Sequence, residues 1–302
     1  IPGRGHQGDW TLTLDEARPI VKAAIDHGLF YFDCADIYGL GASEEVVGAL
    51  LKEMMPRDEY VLATKIAMPM GRGANQGGLS RKHVREGIDA CLQRSGHDYI
   101  DHLVIHRHPH GIPGAAETPI EETLRTLDDL VQSGKVRYIG ASNFNADQLI
   151  ESVKVSDENS FNQFVSIQSR YSMLTRYMEE DLLPVCEESD VSILPYFPLE
   201  SGFLTGKIKR GEDPKKGTRL ALWKGAFTSE EWFNLIDQVE EFGKEINRSL
   251  LEISLAWVAK RKMVSSVLVG ASSAEQMIQN IKAISWEMSD DEMEKIDQII
   301  LS

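Results

Sequence analysis

The stretch Phe32-Asp-Cys-Ala-Asp-Ile-Tyr-Gly39 directly continues the apolar run Gly28-Leu-Phe-Tyr-Phe32. The run reads as a short buried strand, and Asp33 and Tyr38 follow it on a turn. The next strand, Tyr60-Val-Leu-Ala-Thr64, leads into Lys65, and the one after, Ile100-Asp-His-Leu-Val-Ile105, leads into His106. Four polar groups thus close three successive strands. A phenol donates a proton near neutral pH only if its pKa falls from about 10, and a three-unit fall corresponds to about 4 kcal/mol. A unit charge about 4 Å away in an effective dielectric near 20 supplies about that energy. A buried Lys65, held charged by Asp33, is sufficient to tune Tyr38 without a metal.

Outward from this stretch, strands and helices alternate. Thr13-Leu-Asp-Glu16 is a capping-box pattern opening a helix that ends near His27-Gly28. Helices are expected from Ser43, after Ser80, from Thr118-Pro119 to Gly134, and from Asn145 to Val153. Further strands are expected at Lys135–Ser142, Phe164–Gln168, Val191–Tyr196 and Ser265–Val269. Four amphipathic helices complete the chain, over about Glu230–Asn247, Leu250–Lys260, Ser273–Ile284 and Ser289–Ile300. Such alternation indicates a parallel α/β fold. Polar residues close strand after strand: Asp33/Tyr38, Lys65, His106, Ser142/Asn143, Gln168, Tyr196 and Gly270/Ser272. A (β/α)8 TIM barrel gathers all these ends on one rim, whereas an open sheet would scatter the outermost. No Gly-x-Gly-x-x-Gly follows an early strand, so a Rossmann site has no support. The expected organisation is one barrel domain over residues 1–302, with additional C-terminal helices.

The chain of 302 residues is 42% hydrophobic with a formal charge of −15. That acidity argues against nucleic acid and anionic membrane surfaces as partners. Cys34, Cys91 and Cys186 are far apart and odd in number, forming neither a disulfide framework nor a metal motif. No apolar stretch reaches the roughly 18 residues of a membrane span, and no signal-peptide core is present. A soluble, cytoplasmic protein is expected.

Asp-x-Ala-x-x-Tyr-Gly, Thr-Lys and Ile-His resemble the aldo-keto reductases, and the resemblance covers nearly the whole chain. It implies that Tyr38 protonates a substrate carbonyl, Lys65 and Asp33 tune it, and His106 orients the carbonyl. Gly140-Ala-Ser-Asn143 and Gln168 are similar to the family's contacts to the nicotinamide carboxamide, and Tyr196 to the aromatic that stacks on the nicotinamide. The run Tyr196–Lys207, with Pro198, Leu199, Ser201, Gly202 and Lys207, resembles the pyrophosphate loop of bacterial members and potassium-channel β subunits. Gly270-Ala-Ser-Ser-Ala-Glu-Gln-Met-Ile-Gln-Asn280 is the strongest single match. There the resemblance makes Gly270 part of the cofactor site and directs Ser272 and Gln276 to a 2′-phosphate and Gln279 and Asn280 to the adenine, with Arg219 also offered to the phosphate. A helix N-terminus adds its dipole to such a site, which favours NADP(H). Lys207 or Arg248 could supply the charge instead of Arg219. The family's first strand ends in a Gly-x-Gly turn that only Gly3-Arg4-Gly5 hints at, so that strand is expected to be truncated.

Two rival readings belong to other classes. His106-Arg-His-Pro-His110 resembles the His-x-His of metal-dependent barrel hydrolases, but no histidine follows His110 to complete such a site. His108 and His110 are therefore expected to be loop residues, Cys34 a small buried residue, and metal absent. The other is a cofactor-binding regulatory subunit like the channel β subunits. A small carbonyl compound is the expected substrate, chosen by loops around Met68–Gly78, Arg107–Glu117 and Trp223–Phe227. Oligomeric state is not legible.

Overall fold

The computed structural model describes residues 12–212 and 229–301. The expected truncated first strand, Arg219, Trp223 and Phe227 lie outside them. Thr13 caps helix α1 (Leu14–Asp26) by the expected reciprocal box with Glu16. Strand β1 (Tyr31–Asp33) leads through the Asp33–Tyr38 turn into α2 (Ala42–Met54). Then follow β2 (Val61–Ile66), α3 (Arg81–Ser95), β3 (Ile100–Ile105), α4 (Ile120–Gln132), β4 (Val136–Ser142) and α5 (Ala146–Asn159). β5 (Phe164–Arg170), α6 (Leu182–Glu188) and β6 (Ser192–Tyr196) complete the alternation. Ser80 and Asn145 cap α3 and α5 as their sequences predict. Pro119 sits at the cap position of α4 rather than inside its first turn.

The strands pair in parallel in the order β1-β2-β3-β4-β5-β6. The sheet must curl, because the Gln168 side chain on β5 donates to Asp33 on β1 over 2.8 Å. In a flat sheet, strands four places apart would lie roughly 19 Å from each other. Successive helices α1 to α6 pack side by side. Leu103, Ile105, Ile139 and Ile167 are buried together with Ile88 and Leu127 from the helices in one apolar core.

Beyond β6, α7 (Glu230–Glu245), α8 (Leu250–Ala259), α9 (Ala274–Ile284) and α10 (Asp290–Leu301) match the four expected terminal helices. α9 packs against both α8 and α1, joining the end of the chain to its beginning. The expected last strand, Ser265–Val269, does not form a ladder. Val264 makes one parallel bridge to Ile193, and Ser265 and Leu268 donate to β6 carbonyls. Among the described residues the segment has hydrogen-bonded support from β6 alone. It nevertheless runs along β6 towards the Tyr196 end.

Helices α2 and α3 approach so closely at Gly48 that a Cβ there would lie 2.3 Å from the Ser95 carbonyl oxygen. Gly48→Ala should therefore lower stability by about 1–3 kcal/mol, the usual cost of overpacking. A urea midpoint equal to the wild type's would show that α2 and α3 are not in this contact.

Candidate active site

Asp33 is the last residue of β1, and parallel register sets it beside Ala63. Lys65, two residues further along β2, projects from the same face (side chains alternate along a strand). It is 2% exposed, and its ammonium binds the Asp33 carboxylate and donates to the Cys34 carbonyl at 2.9 Å. Burial alone would lower its pKa, but Asp33 and Tyr38 outweigh that and hold it above the ordinary lysine value. The group is therefore a permanent cation. Its nitrogen stands 5.0 Å from the centre of the Tyr38 ring. His106 meets that ring edge-on, with centroids 5.8 Å apart. Burial, then the charges of Lys65 and Arg107, depress the His106 imidazole to about 3. It is neutral at physiological pH, and its Nδ1 is buried with no partner among the described residues. Asp33, Tyr38, Lys65 and His106 are thus brought together, as the strand-end argument requires.

The next strand ends extend the same site. Ser142 and Gln168 are 2% and 1% exposed. Asn143 adopts a left-handed backbone (φ 59°) and donates its amide to the His106 carbonyl and the Ser142 hydroxyl oxygen, both at 3.0 Å. Its Oδ1 accepts from the Tyr196 hydroxyl at 2.6 Å, which ties β6 to β4. After Tyr196 the chain turns through left-handed conformations at Phe197, Glu200, Ser201 and Gly202. Pro198 is buried, Leu199 packs on the core, and Lys207 is exposed. The Ser201 hydroxyl is buried without a partner among the described residues. Glu200, fully buried, is held by Arg170 and by the Ser172 hydroxyl at 2.7 Å.

Gly270 follows the segment that runs along β6, and Ser273 caps α9 by accepting from the Gln276 N–H at 3.2 Å. Ser272 donates from its backbone and its hydroxyl to Gln276 Oε1 at 3.0 and 2.9 Å. Asn280 is buried, its amide 3.5 Å from the Gly270 carbonyl, and Gln279 is exposed. Arg248 pairs with Glu252 and stacks on Trp286.

His110 sits on the short turn Pro109–Gly111 and His108 caps it, its Nδ1 accepting from the His110 N–H. Among the described residues no three His, Cys, Asp or Glu side chains gather to hold a metal. Cys34 is fully buried, and burial pushes its thiol up to about 12. Among the described residues no helix is long and apolar enough to cross a membrane.

Two features are not foreseen from the sequence. Behind the Asp33–Tyr38 turn, Asp36 and Glu44 are 1% and 2% exposed. Arg94 and the Thr64 hydroxyl hold Glu44, whereas among the described residues the Asp36 carboxyl accepts from the Ile37 N–H, at 2.6 Å. The spacing of Asp36 within the turn gave no signal, because a turn aspartate is ordinarily solvated. Below Asp33, Tyr31 meets His102 at 2.8 Å. Period-two alternation from Asp33 already places Tyr31 on the inner face, a signal available in the sequence.

This parallel α/β protein gathers at the ends of its curled sheet a buried lysine, a tyrosine and a neutral histidine. Residues 3–301 match the model of the "Aldo/keto reductase family", and the chain belongs to that family. It is 33% identical over 297 residues to a Schizosaccharomyces pombe protein provisionally named as a voltage-gated potassium channel subunit beta, spanning 95% of this chain and 85% of the relative. It is 32% identical over 309 residues to the L-glyceraldehyde 3-phosphate reductase of Escherichia coli O157:H7, covering 99% and 87%. The versiconal hemiacetal acetate reductase of Aspergillus parasiticus is 30% identical over 309 residues, covering 96% and 88%.

Burial, then Glu44, raises the Asp36 carboxyl to about 8 against an ordinary 3.8, with the Ile37 N–H, Arg94 and Lys65 opposing. The folded chain thus keeps a proton that the unfolded chain releases, so stability present below about pH 4 is lost as pH approaches 8. Asp36→Asn should remove this loss, becoming more stable relative to wild type as pH rises from 4 to 8. Denaturant titrations of both proteins across that range check it, and a constant difference would sink it.

Proposed function

We propose that this chain is an NADPH-dependent reductase of aldehydes or ketones, built on a closed (β/α)8 barrel over residues 1–302, with Tyr38 as proton donor. The observation that carries the reading is the Lys65 ammonium, held by Asp33 and Cys34 beside the Tyr38 ring. Closure of the barrel is supported by the curl of the sheet and by the packing of α9 on α1.

The residues fit a nicotinamide cofactor chemically. Ser142 Oγ accepts from Asn143, which leaves its O–H to donate to a carboxamide oxygen. Gln168 uses its nitrogen on Asp33, which leaves its oxygen to accept. The Tyr196 ring, fixed by its bond to Asn143, offers a face for stacking. Pro198, Leu199, Ser201, Gly202 and Lys207 would receive the pyrophosphate, and the buried, unpartnered Ser201 hydroxyl suits a phosphate oxygen. Ser272 and Gln276, with Arg219, would hold a 2′-phosphate, Gln279 and Asn280 the adenine, and Gly270 would lie in the same cofactor site.

When bound, the reduced nicotinamide supplies a hydride to the carbonyl carbon. Tyr38 gives its hydroxyl proton to the carbonyl oxygen, and the Lys65 charge stabilises the phenolate left behind. Neutral His106 offers the same oxygen a hydrogen bond without carrying a competing positive charge. Asp33 keeps Lys65 charged throughout. A small carbonyl compound is the partner, in the cytoplasm, and the formal charge of −15 argues against nucleic acid and anionic membrane surfaces. A second reading, a cofactor-binding regulatory subunit, is favoured by the 33% identity to the channel-subunit relative. Turnover of a panel of aldehydes with NADPH, set against capture of a membrane partner, separates the two.

Tyr38→Phe should keep its fold and cofactor affinity and lose about 10² to 10⁴ in turnover, the usual worth of general acid catalysis. Lys65→Met should lose activity similarly and displace the pH limb due to Tyr38. Near wild-type turnover of Tyr38→Phe would overturn the assignment.

Wild type should bind NADPH more tightly than NADH by about 2–4 kcal/mol, from charged hydrogen bonds to the 2′-phosphate. Arg219→Ala should weaken NADPH alone. Fluorescence titration with both cofactors is the test: equal wild-type affinities refute the preference, and an unchanged gap in the variant clears Arg219.

A further inference from the structure

Three consecutive residues of the turn after β6, Glu200, Ser201 and Gly202, have a left-handed backbone, with φ of 44°, 58° and 102°. Gly202 is suited by its conformation alone, since a Cβ on it would meet nothing within 4 Å. Glu200 and Ser201 carry side chains, and such residues keep this backbone only where their surroundings over-determine it. Hydrogen bonds within the turn do part of that work. The Glu200 N–H donates to the Phe197 carbonyl at 3.0 Å, and the Gly202 N–H to the Leu199 carbonyl at 2.8 Å. The Glu200 side chain supplies a further hold from outside the turn.

That side chain is fully buried, although a turn carboxylate is ordinarily solvated. Arg170, the last residue of β5, donates to both of its oxygens, closely from Nη2 to Oε2 and over 3.4 Å from Nε to Oε1. The Ser172 hydroxyl donates to Oε1 at 2.7 Å. Ser172 is itself fully buried, and its oxygen accepts from the N–H groups of Leu174 and Thr175 at 3.2 and 3.1 Å. Parallel register sets Arg170 beside Tyr196, so the strand that ends in the arginine lies along the strand that feeds the turn. The turn after β6 is thereby fastened to the end of β5. A carboxylate one residue from Ser201 would repel a phosphate there. Pairing with Arg170 draws it inward and offsets its charge.

We propose that Arg170, Ser172 and Glu200 are positioning residues that lock the turn after β6 in the left-handed conformation to which a cofactor pyrophosphate binds through Ser201 and Gly202. The inference rests on the pyrophosphate reading above. A turn that holds its binding conformation for only part of the time binds more weakly by that fraction. Arg170 acts here through Glu200, without gripping the phosphates itself.

The test titrates NADPH, NADH and adenosine 2′-monophosphate, which has no pyrophosphate, into wild type, Glu200→Gln, Arg170→Met and the double variant. Glu200→Gln keeps the shape of the side chain and loses the ion pair. NADPH and NADH should both weaken by about fivefold to a hundredfold, the worth of one left-handed residue no longer held. Adenosine 2′-monophosphate should bind as to wild type. Arg170→Met leaves the carboxylate buried and uncompensated, so both dinucleotides should weaken further, and adding Glu200→Gln should recover part of that loss. If these variants do not fold, Ser172→Ala removes a single hydrogen bond and should give the same pattern at about twofold to tenfold. Unchanged NADPH affinity in Glu200→Gln, a loss confined to NADPH, or a parallel fall for adenosine 2′-monophosphate overturns the inference and leaves the nicotinamide reading intact. A double variant as weak as Arg170→Met does the same, because Arg170 would then hold the phosphates directly. Wild type binding neither dinucleotide would overturn the nicotinamide reading itself, and the inference with it.

Discussion

The ammonium of Lys65 is almost wholly cut off from water, and an isolated buried charge would shed its proton. It stays charged because Asp33 and the Cys34 carbonyl face it, and both arrive through strand pairing. Much else near the strand ends follows from that constraint. β1 must end beside β2 in the observed register, and the chain must turn at once so that Tyr38 comes back over the lysine. Curling of the sheet then brings Gln168 from β5 to the other oxygen of Asp33. One ion pair thus ties local strand geometry to the curvature of the whole sheet. Breaking either partner would leave the other buried and uncompensated, the costly case for buried pairs.

The turn that carries Tyr38 is supported from behind by a different balance. Two carboxyls, Asp36 and Glu44, share an interior with one guanidinium, Arg94, committed to Glu44. Burial, then repulsion from Glu44, keeps a proton on Asp36. A neutral Asp36 spares the neighbourhood a second negative charge, which would otherwise compete with Asp33 and Tyr38 for Lys65. The acidic residues on either side of Tyr38 are therefore not equivalent: Asp33 serves as a counter-ion, and Asp36 as a buried acid.

Membership of the aldo/keto reductase family is compatible with relatives named for reduction and for channel association alike. Here Tyr38, Lys65 and His106 are in contact, and His106 is held neutral by burial rather than by a partner. The segment over α9 adds a separate region, where Ser272 and Gln276 are already joined to each other before any ligand arrives.

The sequence by itself determined the order of elements, most helix starts and the polar residue closing each strand. Those are local matters: a capping box such as Thr13/Glu16, or an apolar run ending in Lys65, carries its own signal. It also placed Asp33, Tyr38, Lys65 and His106 at strand ends that parallel pairing gathers. Tertiary structure decided what depends on register and curvature. The Gln168–Asp33 bond joins residues 135 apart along the chain, and nothing local encodes it. The fate of Ser265–Val269 was settled by which neighbours its backbone meets, since its own residues favour a strand. Asp36 reads as an ordinary turn residue until Glu44, Cys91 and Arg94 from two helices close over it. Burial of charge is a property of what surrounds a residue, and only the folded chain supplies the surroundings.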